Sequence, residues 1–307
     1  MEKIFVIVNP NSAGSNTKEI WPDIKAYLKK AEFSFKYAFT KGKMHAKDLT
    51  IEAIKEGFCN IICVGGDGTF NEIVNGVFSQ NFKNPEDIVV GIIPSGTGND
   101  WGKTVGIPDN YIQAIDVLKR KRIFVQDVGR VEYYRNDEKL ERFFVNIAGM
   151  FFDAEVTRNA NKSKEKNKGG SFSYLLNLLT TLFKYNSQSA EITIDNYSFK
   201  EMIFTMAVGI CKYSGGGMKI LPHAIPDDGF FDITLVKDVP KLLVIKNIKK
   251  IFDGSFVKLK WVKQFKAKKV EIKSKEKIYL EVDGESLGHS PFKFIILKKV
   301  LNVFGGE

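Results

Sequence analysis

Cys63-Val64-Gly65-Gly66-Asp67-Gly68-Thr69-Phe70-Asn71-Glu72 joins two kinds of periodicity. The apolar run Asn60 to Val64 that leads into it reads as a buried strand, and the segment from Thr69 through Ile73, Val74 and Val77 has helical spacing. Three glycines and an aspartate lie between them. Such a strand, glycine loop and helix lets backbone N–H groups approach a ligand closely, with the unpaired donors and positive dipole end of the helix aimed at it. That chemistry suits phosphate; a plain strand-to-helix turn is the bland alternative.

The same pattern recurs on both sides. Upstream, Lys3 to Val8 is an apolar strand ending in Asn9-Pro10-Asn11-Ser12-Ala13-Gly14, with helical spacing over Trp21 to Lys30. Phe33 to Phe39 and Lys43 to Gly57 supply a second strand and helix. Downstream, Ile88 to Ile93 is a fourth strand, closed by Pro94-Ser95-Gly96-Thr97-Gly98-Asn99-Asp100. Strands alternating with helices make a parallel sheet, whose ligands lie beyond the carboxyl ends of the strands. From about Gln126 the runs become short, β-branched and aromatic: Val125–Tyr134, Arg142–Ala148, Ala190–Ile194, Met202–Ile210, Phe231–Val236, Val270–Ile272, Ile278–Val282 and Phe292–Leu297. The expected architecture is therefore α/β: an N-terminal parallel-sheet nucleotide-binding domain over 1–125 and an antiparallel β domain over 126–298. A tail of about 299–307 is free to pack back on the first. Within the β part, Asn159 to Gly170 reads as a polar, mobile loop, and Phe172–Tyr185 and Lys241–Phe252 as helices.

Composition narrows the function. With 307 residues, 44% of them hydrophobic, the chain can fill two cores. No apolar run is long enough to span a bilayer and no signal peptide is legible, so a cytoplasmic protein is expected. Cys59, Cys63 and Cys211 sit in apolar segments, and His45, His223 and His289 form no ligand-spaced group, so no zinc is expected. The net charge of +10 is local: Lys237 to Lys277 holds fourteen lysines against four carboxylates, equal to the whole excess. Such a face attracts an anionic membrane, nucleic acid or an acidic protein, unless it is simply a solvated surface. Its lack of arginine and its few aromatics argue against nucleic acid.

Neither glycine loop matches a dinucleotide fingerprint or a P-loop: Asn71 stands where the third glycine of the first is needed, and Thr97 where the first glycine of the second is needed. What remains is a pair of loops, each with glycines, hydroxyls and one carboxylate. Facing one crevice, they could hold a triphosphate, with Asp67 and Asp100 holding Mg²⁺ directly or through water.

Asn9-Pro10, Gly65 to Thr69, Pro94 to Asp100, Asp227-Asp228-Gly229 and Val282-Asp283-Gly284-Glu285 occur in the order of the motifs of the diacylglycerol kinase catalytic-domain family and its bacterial lipid kinases, which the chain resembles along nearly its whole length. The resemblance implies an ATP- and Mg²⁺-dependent lipid kinase, with catalysis in the cleft between the α/β domain and a β-sandwich. It implies ATP contacts at Asn9, Pro10, Asn11, Ser12, Ala13, Thr40, Gly66, Asp67, Gly68, Thr69, Phe70, Asn71, Glu72 and Thr97. Glu285 would be the general base toward the lipid hydroxyl, and Asp228 with the carbonyls of Ile225 and Phe230 a structural Mg²⁺ site. Asp227 doubles the carboxylate there, and both motifs also read as ordinary turns. Partners implied are a lipid substrate and, through the lysine-rich face, an anionic membrane surface on which the protein sits peripherally. A homodimer is left open. The segment Phe172 to Phe183, with Lys162, Lys164, Lys166 and Lys168 before it, could meet the membrane or the acyl chains, or simply pack on the β domain. The rival readings are an NAD kinase-like phosphotransferase, which shares Gly-Gly-Asp-Gly-Thr, and a non-catalytic nucleotide-binding module.

Overall fold

The computed structural model describes residues 3–12, 16–165 and 171–305. Ala13, Lys166 and Lys168 lie outside them, as do the side chains of Lys162, Lys164 and residues 172–177.

The first half runs β1 (Ile4–Val8), α1 (Asn16–Lys30), β2 (Phe35–Phe39), α2 (His45–Lys55), β3 (Asn60–Gly65), α3 (Asp67–Ser79), β4 (Val89–Pro94), α4 (Asp100–Thr104) and α5 (Tyr111–Lys119). Strands β2, β1, β3 and β4 pair in that order, all parallel. Strand β1 shows why its run is apolar throughout: Ile4, Val6 and Val8 pack with Trp21, Ile24 and Leu28 of α1, while Phe5 and Ile7 join the cluster under α2 and α3. Because β2 and β3 flank β1 on opposite sides, the chain leaves the sheet in diverging directions there, which opens a crevice beyond the ends of β1, β3 and β4.

The second half is antiparallel: β5 (Ile123–Arg135), β6 (Glu138–Phe144), β7 (Ile147–Phe151), α6 (Phe152–Glu165), α7 (Ser171–Lys184), β8 (Gln188–Ile194), β9 (Tyr197–Gly209), β10 (Phe231–Lys237), α8 (Lys241–Asn247), α9 (Lys250–Asp253), β11 (Val262–Ala267), β12 (Lys269–Lys273), β13 (Tyr279–Val282) and β14 (Glu285–Phe304). Pairing runs β9-β7-β13-β14-β12-β8 and returns to β9, so the long strands β9 and β14 belong to both layers around one core. The far end of β14 leaves this domain and pairs in parallel with β4, Asn302 opposite Val89 and Val303 opposite Val90.

Four expectations are corrected. The run Arg142–Ala148 is two strands, because the N–H groups of Val145, Asn146 and Ile147 at the break all donate to the Asp283 carboxylate. The expected loop from Asn159 begins inside α6, which buries Ala154 and Val156 and ties Asn159 to Thr181 at 3.1 Å. The helix expected over Lys241–Phe252 is split into α8 and α9; Asn247 Nδ2 donates to the Leu243 carbonyl at 2.9 Å, a local bond of the kind that competes with helix continuation. Strand β11 went unseen because its Lys263, Gln264 and Lys266 break up the apolar signal of an edge strand.

Candidate active site

The two glycine loops touch. A Cβ on Gly96 would lie 2.6 Å from Gly66 Cα, so only glycine permits this approach of the loops after β3 and β4. The loop after β1 joins them: Asn9 Nδ2 donates to Thr69 Oγ1 at 2.8 Å, Thr17 Oγ1 donates to Ser95 Oγ at 2.8 Å, and Ser12 Oγ lies 3.7 Å from a Cβ built on Gly66. Thr97 is exposed at the rim, and Thr40 is tied by its N–H to the Val8 carbonyl at 2.9 Å. Asn9, Ser12, Thr17, Gly66, Thr69, Ser95 and Gly96 are thus drawn together at the carboxyl ends of β1, β3 and β4.

Three residues of the same motif turn elsewhere. Phe70 is buried and stacks on Trp101 with centroids 4.1 Å apart. Asn71, also buried, donates to the Phe143 carbonyl at 3.0 Å and to Asp283 Oδ2 at 2.7 Å. Glu72 accepts the N–H groups of Met44 and Ala46 at 2.8 and 3.1 Å and so caps α2. The buried side chains of Phe70 and Asn71 are closed in by protein, so an ATP contact at these two positions would run through the backbone.

The two aspartates differ. Asp67 accepts the N–H groups of Asp100 and Trp101 at 3.0 and 3.2 Å, capping α4; burial raises its pKa above the ordinary value against these two bonds. Two N–H donors leave a carboxylate about half its lone pairs, enough to hold a hydrated cation. Asp100 is more fully engaged, accepting Gly216 and Gly217 N–H at 2.7 Å each and Lys103 Nζ at 3.1 Å. It clasps the loop after β9 to the N-terminal domain, a role other than the metal-holding one expected for it.

Glu285 arrives from the other domain. Asp283 (φ 47°) and Gly284 (φ 84°) form the tight turn between β13 and β14, with Val282 paired to Glu285. The Glu285 carboxylate reaches the first turn of α3, where a Cβ on Gly68 would lie 3.6 Å from its Oε1. Its Oε2 pairs with Lys43 Nζ at 2.5 Å. Behind this pair, Arg142 of β6 is buried among carboxylates, its Nη1 on the Met44 thioether at 3.0 Å; burial lowers its pKa.

The sequence assigns no role to Asp283, Lys43 or Arg142, and it names Asn71 only as an ATP contact. The buried Asp283 carboxylate accepts Asn71 Nδ2 and the N–H groups of Val145, Asn146 and Ile147 at 2.7 to 3.2 Å, locking the Glu285 turn to α3. The Asp in Val-Asp-Gly-Glu was the available signal, although the turn reading accounted for it.

Beneath the same turn, the carboxyls of Asp153 (α6) and Glu281 (β13) crowd together over Gly149, where a methyl group would collide with both. Glu281 Oε2 also accepts the Gly284 N–H at 3.0 Å. Burial raises both pKa values, that of Asp153 to about 6, with repulsion from Asp153 adding to the rise at Glu281, and burial raises Asp283 to about 6 as well. The sign follows: the folded chain binds protons that an unfolded chain, with ordinary carboxyls near 4, has already lost, so folding is favoured as pH falls. We expect urea unfolding to give a higher stability near pH 5 than near pH 7.5. A flat or reversed profile across that window would mean that these carboxyls are ionised at no net cost.

The Asp227-Asp228-Gly229 motif is occupied differently from expectation. Asp228 Oδ1 accepts the Phe230 N–H at 3.0 Å, and its Oδ2 meets Lys266 Nζ at 2.5 Å, with Asp232 Oδ2 3.3 Å from the same ammonium. Asp227 pairs with Lys299 at 3.3 Å. Asp228, with Ile225 and Phe230 beside it, already has its cation, and this set does not fit a divalent ion as it stands. Accordingly, Mg²⁺ should leave the wild-type melting temperature unmoved in the absence of nucleotide, whereas Lys266→Met should melt several degrees lower and recover with Mg²⁺. A Mg²⁺-dependent rise in the wild type would restore the metal site.

Among the described residues, no helix is long and apolar enough to cross a membrane. The sequence matches the family description "Diacylglycerol kinase catalytic domain" over residues 3–131 and "YegS C-terminal NAD kinase beta sandwich-like domain" over 146–305. A diacylglycerol kinase of Staphylococcus carnosus (strain TM300) is 32% identical over 304 residues, which cover 97% of this chain and 94% of the relative. One of Staphylococcus aureus (strain MRSA252) is 30% identical, covering 97% and 91%. Among solved structures, a diacylglycerol kinase of Bacillus anthracis str. Sterne superposes with a TM-score of 0.74 at 24% identity over 99% of this chain and 97% of that one. Yeast NADH kinase complexed with NADH gives 0.55 at 12% over 100% and 84%. Both likenesses speak for the fold.

Proposed function

The chain belongs to the diacylglycerol kinase catalytic-domain family, and on that premise we propose that it transfers the γ-phosphate of ATP to the hydroxyl of diacylglycerol or a related membrane alcohol, working peripherally on the membrane from the cytoplasm. The observation that carries this reading is the meeting of Glu285 from the β domain with the first turn of α3, directly after the glycine loop. In this reading a phosphate-binding loop and a proton acceptor face one crevice from opposite domains.

In this reading the backbone N–H groups from Gly66 to Gly68 and the hydroxyls of Ser12 and Thr97 bind the phosphates. Mg²⁺, held through water by Asp67, would neutralise charge on the phosphate oxygens. Glu285 takes the proton of the lipid hydroxyl as its oxygen bonds to the γ-phosphorus and the bond to the ADP oxygen breaks. Lys43 Nζ, 2.5 Å from Oε2, holds the Glu285 carboxylate in place beside the first turn of α3 until the alcohol arrives.

The test is incubation with γ-labelled ATP, Mg²⁺ and, separately, diacylglycerol, phosphatidylglycerol, a sphingoid base, a polyprenol and NAD. Label in a lipid phosphate monoester is the expected outcome. Label in NADP would move the protein to the NAD kinase reading, and nucleotide binding without transfer would leave a non-catalytic module.

A further inference from the structure

We infer that α8 and α9 form the surface by which this protein docks on an anionic phospholipid bilayer. The two helices carry Leu242, Leu243, Val244, Ile245, Ile251 and Phe252, yet neither contains a fully buried residue. One side packs on Phe204, Val236 and Phe256. The other is open: Leu242 is 74% exposed and Phe252 58%, with Ile248 at 39% between them. Phe183, 56% exposed at the end of α7, stands alongside, because Lys241 Nζ donates to its carbonyl at 2.6 Å. Between 241 and 260 these apolar side chains are interspersed with six lysines and one carboxylate, Asp253.

Apolar tips set in a ring of lysines match the boundary of an anionic bilayer, where the tips enter the acyl region and the ammonium groups meet lipid phosphates. A second copy of the chain fits worse. A two-fold contact would set the same patch against itself and bring two sets of six lysines together. The patch also adjoins the candidate site. Gly217 N–H is held by Asp100 at 2.7 Å, and Lys219 N–H, two residues on, donates to the Ile251 carbonyl of α9 at 2.8 Å. Two residues span at most about 7 Å, so a docked α9 holds the crevice rim close to the bilayer. The use of this surface for lipid phosphorylation rests on the function proposed above, but its binding to vesicles does not.

Co-sedimentation of the full chain with vesicles, in the absence of ATP, tests the inference. Wild type should pellet with equal parts phosphatidylcholine and phosphatidylglycerol, fail to pellet with phosphatidylcholine alone, and be released by high salt. Leu242→Ser combined with Phe252→Ser should weaken binding at least tenfold at an unchanged melting temperature. Lys246→Gln should weaken it about fivefold, the equivalent of one lysine near the surface. Phe82→Ser, which removes a 50% exposed aromatic of the N-terminal domain, should change nothing. Equal binding by the Leu242/Phe252 variant overturns the inference. So does a wild-type dimer that this variant dissociates, which would assign the face to a second copy. Transfer of phosphate to a water-soluble short-chain diacylglycerol should be equal in the variant and wild type. If wild type transfers none, the kinase reading falls and the vesicle result stands by itself.

Discussion

Glu285→Gln is expected to lower kcat by roughly 10² to 10⁴, the usual contribution of a general base, while ATP affinity and melting temperature stay at wild-type values. Glutamine keeps the shape and leaves an amide oxygen for Lys43, whose ammonium lies 2.5 Å from the present carboxylate. What it removes is the capacity to take a proton. The substitution therefore separates chemistry from architecture, because the turn is held by Asp283 and the glycine loops by each other. Isothermal titration with ATP, a melting curve and a turnover number measured on one preparation decide it. Retention of full turnover would take the role of base away from Glu285, and a large fall in melting temperature would mean that the Lys43 pair is structural.

Asp283→Ala should have the largest effect on stability. It strips the partner from Asn71 Nδ2 and from the N–H groups of Val145, Asn146 and Ile147, all of them buried. Each orphaned donor costs about 1–3 kcal/mol, although relaxation and water entry prevent simple addition. A loss of about 3–5 kcal/mol is expected, which in a chain of this size lowers Tm by about 10 °C. Asp283→Asn should cost less, since it retains one accepting oxygen while turning an amide donor toward other donors. Activity should fall in both even where the fold survives, because the Glu285 turn loses its link to α3. Wild-type stability in Asp283→Ala would show that water replaces the carboxylate without cost.

The parallel sheet was legible because β1, β3 and β4 are buried, largely apolar runs, each followed by a glycine-containing loop, a signal that survives in one sequence. The crevice was legible for the same reason: loops at the carboxyl ends of β1, β3 and β4 have to converge. The lock around Asp283 was not. Its partners, Asn71 and residues 145–147, lie more than a hundred positions away, and a Val-Asp-Gly-Glu turn explains its own composition without them. The Lys266–Asp228 pair escaped for a similar reason, since one lysine among fourteen carries no mark of what it faces. The exposure of Leu242 and Phe252 depends on which side of α8 and α9 the sheet covers, and helical spacing in so short a segment does not decide that.

Strand β14 gives the N-terminal sheet a partner for β4 that is synthesised late, since Asn302 and Val303 pair with Val89 and Val90. On the ribosome, the open edge of β4 must wait for about two hundred further residues, on the order of 10–40 s at ordinary elongation rates. The first residues of β5 wait as well, because their pairing at this end is to Leu301–Phe304. An unpaired, largely buried strand edge is a template for pairing with another chain, so the half-made protein is more exposed to aggregation than the finished one. Nascent chains stalled before residue 300 should therefore bind a holdase chaperone strongly, and chains extended beyond residue 304 far less.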